Sequence, residues 1–128
     1  MGLRHMSEDG IDFSVLVGPQ VPVRSFKVGE TIFKEGDHAT ELYVIQSGQV
    51  GIHLGNRLLS TLETNEMFGE MALVDSAPPS ADAVAVTDVT LVPISEKQFL
   101  FLVSQTPFFA LKVMRVLARR LRASNSAM

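Results

Sequence analysis

Residues 67–81 of this chain read Met-Phe-Gly-Glu-Met-Ala-Leu-Val-Asp-Ser-Ala-Pro-Pro-Ser-Ala. An apolar strand ends at Phe68, Gly69 permits a sharp turn, and a short helical turn follows from Glu70. A strand–glycine–helix junction of this kind aims several backbone N–H groups at one point, the arrangement of an anion site. A glutamate at its mouth can accept hydrogen bonds from sugar hydroxyls.

Outward from this segment the chain reads as short strands rich in Val, Ile, Leu and Phe, punctuated by Gly29, Gly36, Gly48, Gly51, Gly55 and Gly69. Val23 to Val28 is a strand ended by Gly29, and Thr31 to Lys34 a second, closed by the turn Glu35-Gly36-Asp37. Leu42 to Gln46 is continuously apolar and reads as buried; Ser47-Gly48 turns the chain, and Gln49 to Leu54 returns. Gly55-Asn56 is a two-residue hairpin signal before Arg57 to Leu62. Val84 to Val86 and Val89 to Ile94 close the set around the turn Thr87-Asp88. The period then changes. Ser95 and Gln98 form a capping box, with Phe99, Leu102 and Val103 following at helical spacing. Pro107 opens a second helix on which Ala110, Met114, Leu117 and Leu121 recur at spacings of four, three and four. Strands first and helices last predict an α+β fold, mainly β: an antiparallel β-roll (double-stranded β-helix or jelly roll) followed by two C-terminal helices. The expected organisation is an N-terminal leader over residues 1–20 and one domain over 21–128, with the roll at about 21–94 and the helices at about 95–123.

At 128 residues and 46% hydrophobic, the chain can bury a core without metals or disulfides. It has no cysteine, which excludes thiol chemistry and accords with a cytoplasmic setting. A net charge of −3 offers no general attraction to nucleic acid, and no stretch approaches the roughly 20 apolar residues of a membrane span. The three histidines, His5, His38 and His53, are scattered, so neither a metal nor a resident cofactor is expected. There is no Gly-x-Ser-x-Gly elbow, and Glu63 and Glu66 sit in a turn-like, solvent-facing segment. No catalytic constellation emerges, and the chain reads as a non-enzyme.

The segment Phe68 to Leu73 resembles the phosphate-binding cassette of cyclic-nucleotide-binding domains, the β-roll superfamily of the catabolite activator protein and protein kinase A regulatory subunits. The family pattern is Phe-Gly-Glu-x-Ala-Leu, then Pro-Arg-x-Ala-Thr. Gly29-Glu30, Gly36-Asp37, Leu42 to Ile45 and Gly48 to Val50 agree with it upstream, and the likeness spans about Phe26 to Leu121. The resemblance implies a nucleotide-binding regulatory domain, with cAMP or cGMP as ligand. By position it places Phe68, Gly69, Glu70, Met71, Ala72, Pro79, Ser80 and Ala81 at the ligand. It gives Glu70 the ribose 2′-hydroxyl, Gly69 and Ala72 ligand-facing backbone, and Ser80 the cyclic phosphate. Pro79 departs from the pattern, standing where the family has the arginine that pairs with the phosphate. Proline brings neither charge nor N–H donor. Losing such a charged hydrogen bond weakens binding about 10- to 150-fold. Asp82, and Asp75 with it, make the neighbourhood more negative, and Arg57 or Lys34 are the candidate substitute cations.

Plainer readings stand beside these. Glu70 can be a helix N-terminal carboxylate favoured by the dipole, and Ser80 a surface hydroxyl. Phe99, Phe101, Phe108 and Phe109 read as core and helix-packing residues. Lys112, Arg115, Arg119, Arg120 and Arg122 are either cations near a helix C-terminus or a partner-binding face. In the family the last helix packs against its counterpart in a dimer, so a homodimer or a partner protein through the 107–121 helix is expected. The chain stops before a helix-turn-helix domain would fit, so no DNA-binding domain is expected, and no membrane. Two functions remain open: a sensor that binds a nucleotide-like small molecule and signals through its C-terminal helices, and a degenerate domain that binds no nucleotide and acts in protein interaction or dimerisation.

Overall fold

The computed structural model describes residues 22–126, with side chains to residue 122; the expected leader over residues 1–20, and His5 within it, lie outside the described residues. Among the described residues eight strands come first: β1 Arg24–Phe26, β2 Thr31–Phe33, β3 Glu41–Ser47, β4 Val50–Leu54, β5 Arg57–Leu62, β6 Met67–Phe68, β7 Asp82–Ala85 and β8 Val89–Ser95. A short helix, α1 Met71–Val74, interrupts them between β6 and β7, and α2 Glu96–Gln105 and α3 Pro107–Ser126 end the chain. The strands form two four-stranded sheets, ordered β1-β8-β3-β6 and β2-β7-β4-β5, and every pairing is antiparallel. This is the antiparallel β-roll with C-terminal helices that the sequence predicts.

The continuous apolar run in β3 follows from the layering. Successive strand residues point to opposite faces. Leu42 and Val44 therefore meet α2 and α3 through Leu102, Phe109, Val113 and Val116, while Ile45 faces the second sheet with Val50, Phe68, Ala83 and Ala85. β8 divides in the same way, with Val89 and Leu91 inward and Val92 and Ile94 toward the helices. A sheet covered on both faces has no solvent side, so period-2 polarity is lost from its central strands.

Ser95 and Gln98 close the capping box at the start of α2: the Gln98 N–H donates to Ser95 Oγ at 3.3 Å and the Ser95 N–H to Gln98 Oε1 at 2.9 Å. Pro107 is the first residue of α3, as its missing N–H allows, and the chain bends by 120° between the two helices. No single helix among the described residues is long and apolar enough to cross a membrane.

Two readings of the aromatic residues are corrected. Phe99 and Phe109 pack together, with ring centroids 5.5 Å apart, but Phe101 and Phe108 are 60% and 75% exposed. Both lie on the outer sides of their helices, because the inner sides are filled by Leu102 and by Phe109, Val113 and Val116. The stripe Ala110, Met114, Leu117 and Leu121 is not the face laid on the roll: Met114 and Leu121 are exposed and the other two are half-buried. The strand readings hold with shifted ends; β7 begins at Asp82 rather than Val84, because Asp82 already pairs with His53 of β4.

Candidate functional site

A cavity of about 600 Å³ opens between β5, the β6–α1 junction, the segment before β7, and the far end of α3. That is within the range that holds a drug-sized ligand. All eight residues singled out in the sequence, Phe68 to Ala72 and Pro79 to Ala81, line it.

The junction is built as its residues require. Phe68 is buried against Phe33 and Tyr43, with ring centroids at 5.8 and 5.5 Å, which anchors the end of β6. Gly69 follows at φ +77°, a left-handed conformation that a side chain would strain, and a Cβ there would sit 3.4 Å from the Phe33 ring. Glu70 is the N-cap of α1. The amides of α1 are partly spent inside the turn: Ala72 N–H donates to Gly69 O at 3.3 Å and Leu73 N–H to Glu70 O at 3.0 Å. The expected convergence of free backbone donors is accordingly not made by these two. Pro79 is tied by its carbonyl, which accepts from Gly36 N–H at 2.9 Å. Asp82 does not line the cavity; its carboxylate accepts from Glu35 N–H at 2.7 Å and so caps the 34–37 turn.

Among the described residues, four charged side chains line the cavity: Glu41, Arg57, Glu70 and Arg120. Arg24, outside the cavity, pairs with Glu41 at 2.9 Å and donates to Tyr43 Oη at 2.9 Å. Burial pushes the Tyr43 phenol above its ordinary range, with Arg24 opposing the shift. Glu70, whose side chain is only 12% exposed, receives a short, charge-assisted hydrogen bond from Arg120 of α3, and the second guanidinium nitrogen donates to Met67 O at 2.7 Å. One arginine thus ties the last helix to both Glu70 and the strand leading into it. The carboxylate is more than a helix-dipole partner.

Of the two candidate substitute cations, Arg57 lines the cavity and Lys34 does not. In the sequence Arg120 reads as one of several basic residues of α3, yet its position carries a signal. It lies seven residues after Val113 and four after Val116, on the face that packs inward. A charged residue on a buried helical face needs a partner.

Residues 23–106 match the family model described as cyclic nucleotide-binding domain. The cyclic AMP receptor protein of Thermus thermophilus is 39% identical over 107 residues, covering 80% of this chain and 50% of that protein. A CRP-like cAMP-activated global transcriptional regulator of Mycobacterium tuberculosis is 34% identical over 108 residues, covering 79% of this chain and 47% of that protein. The chain spans about half the length of these curated relatives. The crystal structure of the Thermus thermophilus catabolite activator protein superposes with a TM-score of 0.75 at 38% identity, over 83% of this chain and 52% of that one.

Proposed function

The chain belongs to the cyclic nucleotide-binding domain family, and from that premise we propose that it is a regulatory domain which takes a cyclic nucleotide, cAMP first, into the cavity and reports occupancy through α3. The observation that carries this reading is the Glu70–Arg120 pair, which joins the cassette to the last helix. A ribose 2′-hydroxyl that donates to Glu70 shares the carboxylate with Arg120, and so acts on the position of α3. The ligand then shifts a population of helix positions by its differential affinity for them. The names of the two relatives, a cAMP receptor and a cAMP-activated regulator, support cAMP over other small molecules. Both carboxylates of the cavity are held by arginines, so neither is a free base, which favours a binding module over an enzyme.

We assign the outer face of α3, where Leu111, Met114 and Leu121 are exposed at coiled-coil-like spacing, to a homodimer contact, and the domain to the cytoplasm. One observation favours the second reading, a module that dimerises without binding nucleotide: Pro79 offers the phosphate neither charge nor N–H. Calorimetric titration with cAMP and cGMP at low and physiological salt separates the two. Micromolar or tighter binding is expected, with the melting temperature rising as ligand exceeds its dissociation constant. No heat, with an unchanged melting temperature at millimolar ligand, refutes nucleotide binding and leaves the dimerisation module.

A further inference from the structure

We infer that Arg57, on β5, is the residue that pairs with the ligand's phosphate in this chain, acting from the opposite wall of the cavity in place of the side chain that Pro79 cannot supply. This rests on the nucleotide-binding reading above.

The charges of the cavity wall lead to it. Glu41 is held by Arg24 and Glu70 by Arg120, which leaves Arg57 as the one lining charge without an ion-pair partner among the described residues. An arriving monoanion finds its counter-charge there. The other cations are committed or misplaced: Arg120 is engaged twice, Arg24 is engaged with Glu41 and Tyr43, and neither Arg24 nor Lys34 lines the cavity.

Strand register puts Arg57 where the phosphate would lie. His53 of β4 pairs with Asp82 on one side and Leu58 on the other, and Leu54 pairs with Arg57. Ala81 directly precedes Asp82, so extending the register by one residue brings Ala81 opposite Leu54, on the other side of β4 from Arg57. Arg57 and Ala81, the end of the Pro79–Ala81 segment, therefore come to the same level of the sheet, two strand spacings or about 10 Å apart. An arginine side chain and a ligand oxygen together bridge that span. Two local features set the position. The Gly55-Asn56 turn, with Gly55 at φ +63°, starts β5 at Arg57. A bulge between the Ile52–Ser60 and His53–Leu58 pairs then shifts the register of the residues that follow. An arginine suits the task better than a lysine, because its planar fork gives two parallel hydrogen bonds to phosphate oxygens.

The test measures cAMP and, as a neutral probe, adenosine, on the wild type, Arg57→Gln, Arg57→Lys and the double variant Arg57→Gln/Pro79→Arg. Arg57 is exposed, so its replacement leaves the fold intact, which a melting curve verifies. Arg57→Gln is expected to weaken cAMP about 10-fold at low salt, the lower end for a charged hydrogen bond because the group is partly screened. Adenosine binding stays unchanged, the salt dependence of cAMP binding flattens, Arg57→Lys falls between, and the double variant regains the loss. If the wild type binds cAMP and Arg57→Gln binds it within about twofold, or if adenosine weakens equally, the assignment of Arg57 is overturned and the nucleotide reading stands. If the wild type binds neither cAMP nor cGMP, that reading falls and the assignment with it.

Discussion

Replacing Arg120 by alanine should cost more than replacing the glutamate it holds. Arg120→Ala leaves the Glu70 carboxylate, 12% exposed, without its cation and deprives the buried Met67 carbonyl of its guanidinium donor. Breaking a fully buried pair costs about 3–5 kcal/mol, and an exposed pair contributes about 0–1 kcal/mol. With its side chain 33% exposed, Arg120 lies between these limits, and the loss is expected at about 2 kcal/mol. For a domain of this size that lowers the melting temperature by about 7–9 °C. Glu70→Ala leaves an arginine that still reaches water and still donates to Met67 O, so its cost is about 1 kcal/mol. The assay is thermal and urea unfolding of both single variants and the double, ligand-free and at one protein concentration, since self-association would shift every midpoint. The double-mutant cycle should show a coupling of about 1 kcal/mol. Costs that add to within about 0.3 kcal/mol would mean that the two side chains do not interact, and that α3 is not tied to the cassette through this pair.

Leu102, 2% exposed between α2 and the first sheet, should lose about 2–5 kcal/mol as Leu102→Ala, read as a lower urea midpoint at constant slope; a loss under 1 kcal/mol would contradict its packing. Gly48→Ala should destabilise by about 1–3 kcal/mol, since Gly48 has φ +97° and a Cβ there would stand 2.4 Å from Asp88 O; an unchanged melting temperature would refute that turn geometry. Neighbouring phenylalanines should behave oppositely. Phe109→Ala costs about 3–5 kcal/mol, whereas Phe108→Ser stays within about 0.5 kcal/mol at dilution and lowers self-association in sedimentation. Equal losses at both positions would show that α3 sits differently on the roll.

The β-roll was legible in the sequence because its determinants are local. Glycines at Gly29, Gly36, Gly48, Gly55 and Gly69 mark turns where the backbone takes positive φ, and the Ser95–Gln98 box and Pro107 mark helix starts by satisfying or omitting particular N–H groups. The segments Phe68 to Ala72 and Pro79 to Ala81 stand out in the sequence because a contiguous segment carries its own order, and the fold brings both to the wall of one cavity. The partners of those residues were not legible. Glu70 lies 50 positions from Arg120, and Arg57 is opposed to the Pro79–Ala81 segment only through the pairing of β5, β4 and β7. A helix pattern shows that apolar residues repeat, but two apolar faces compete on α3, and only docking on the first sheet decided that Phe109, Val113 and Val116 turn inward while Met114 and Leu121 stay in water. Sequence by itself determined where the chain turns, caps and changes period, which depends on a few consecutive dihedrals and hydrogen bonds. Tertiary structure alone decided which charges neutralise each other across the cavity, because Coulomb attraction and desolvation act through distances in space that separation along the chain does not encode.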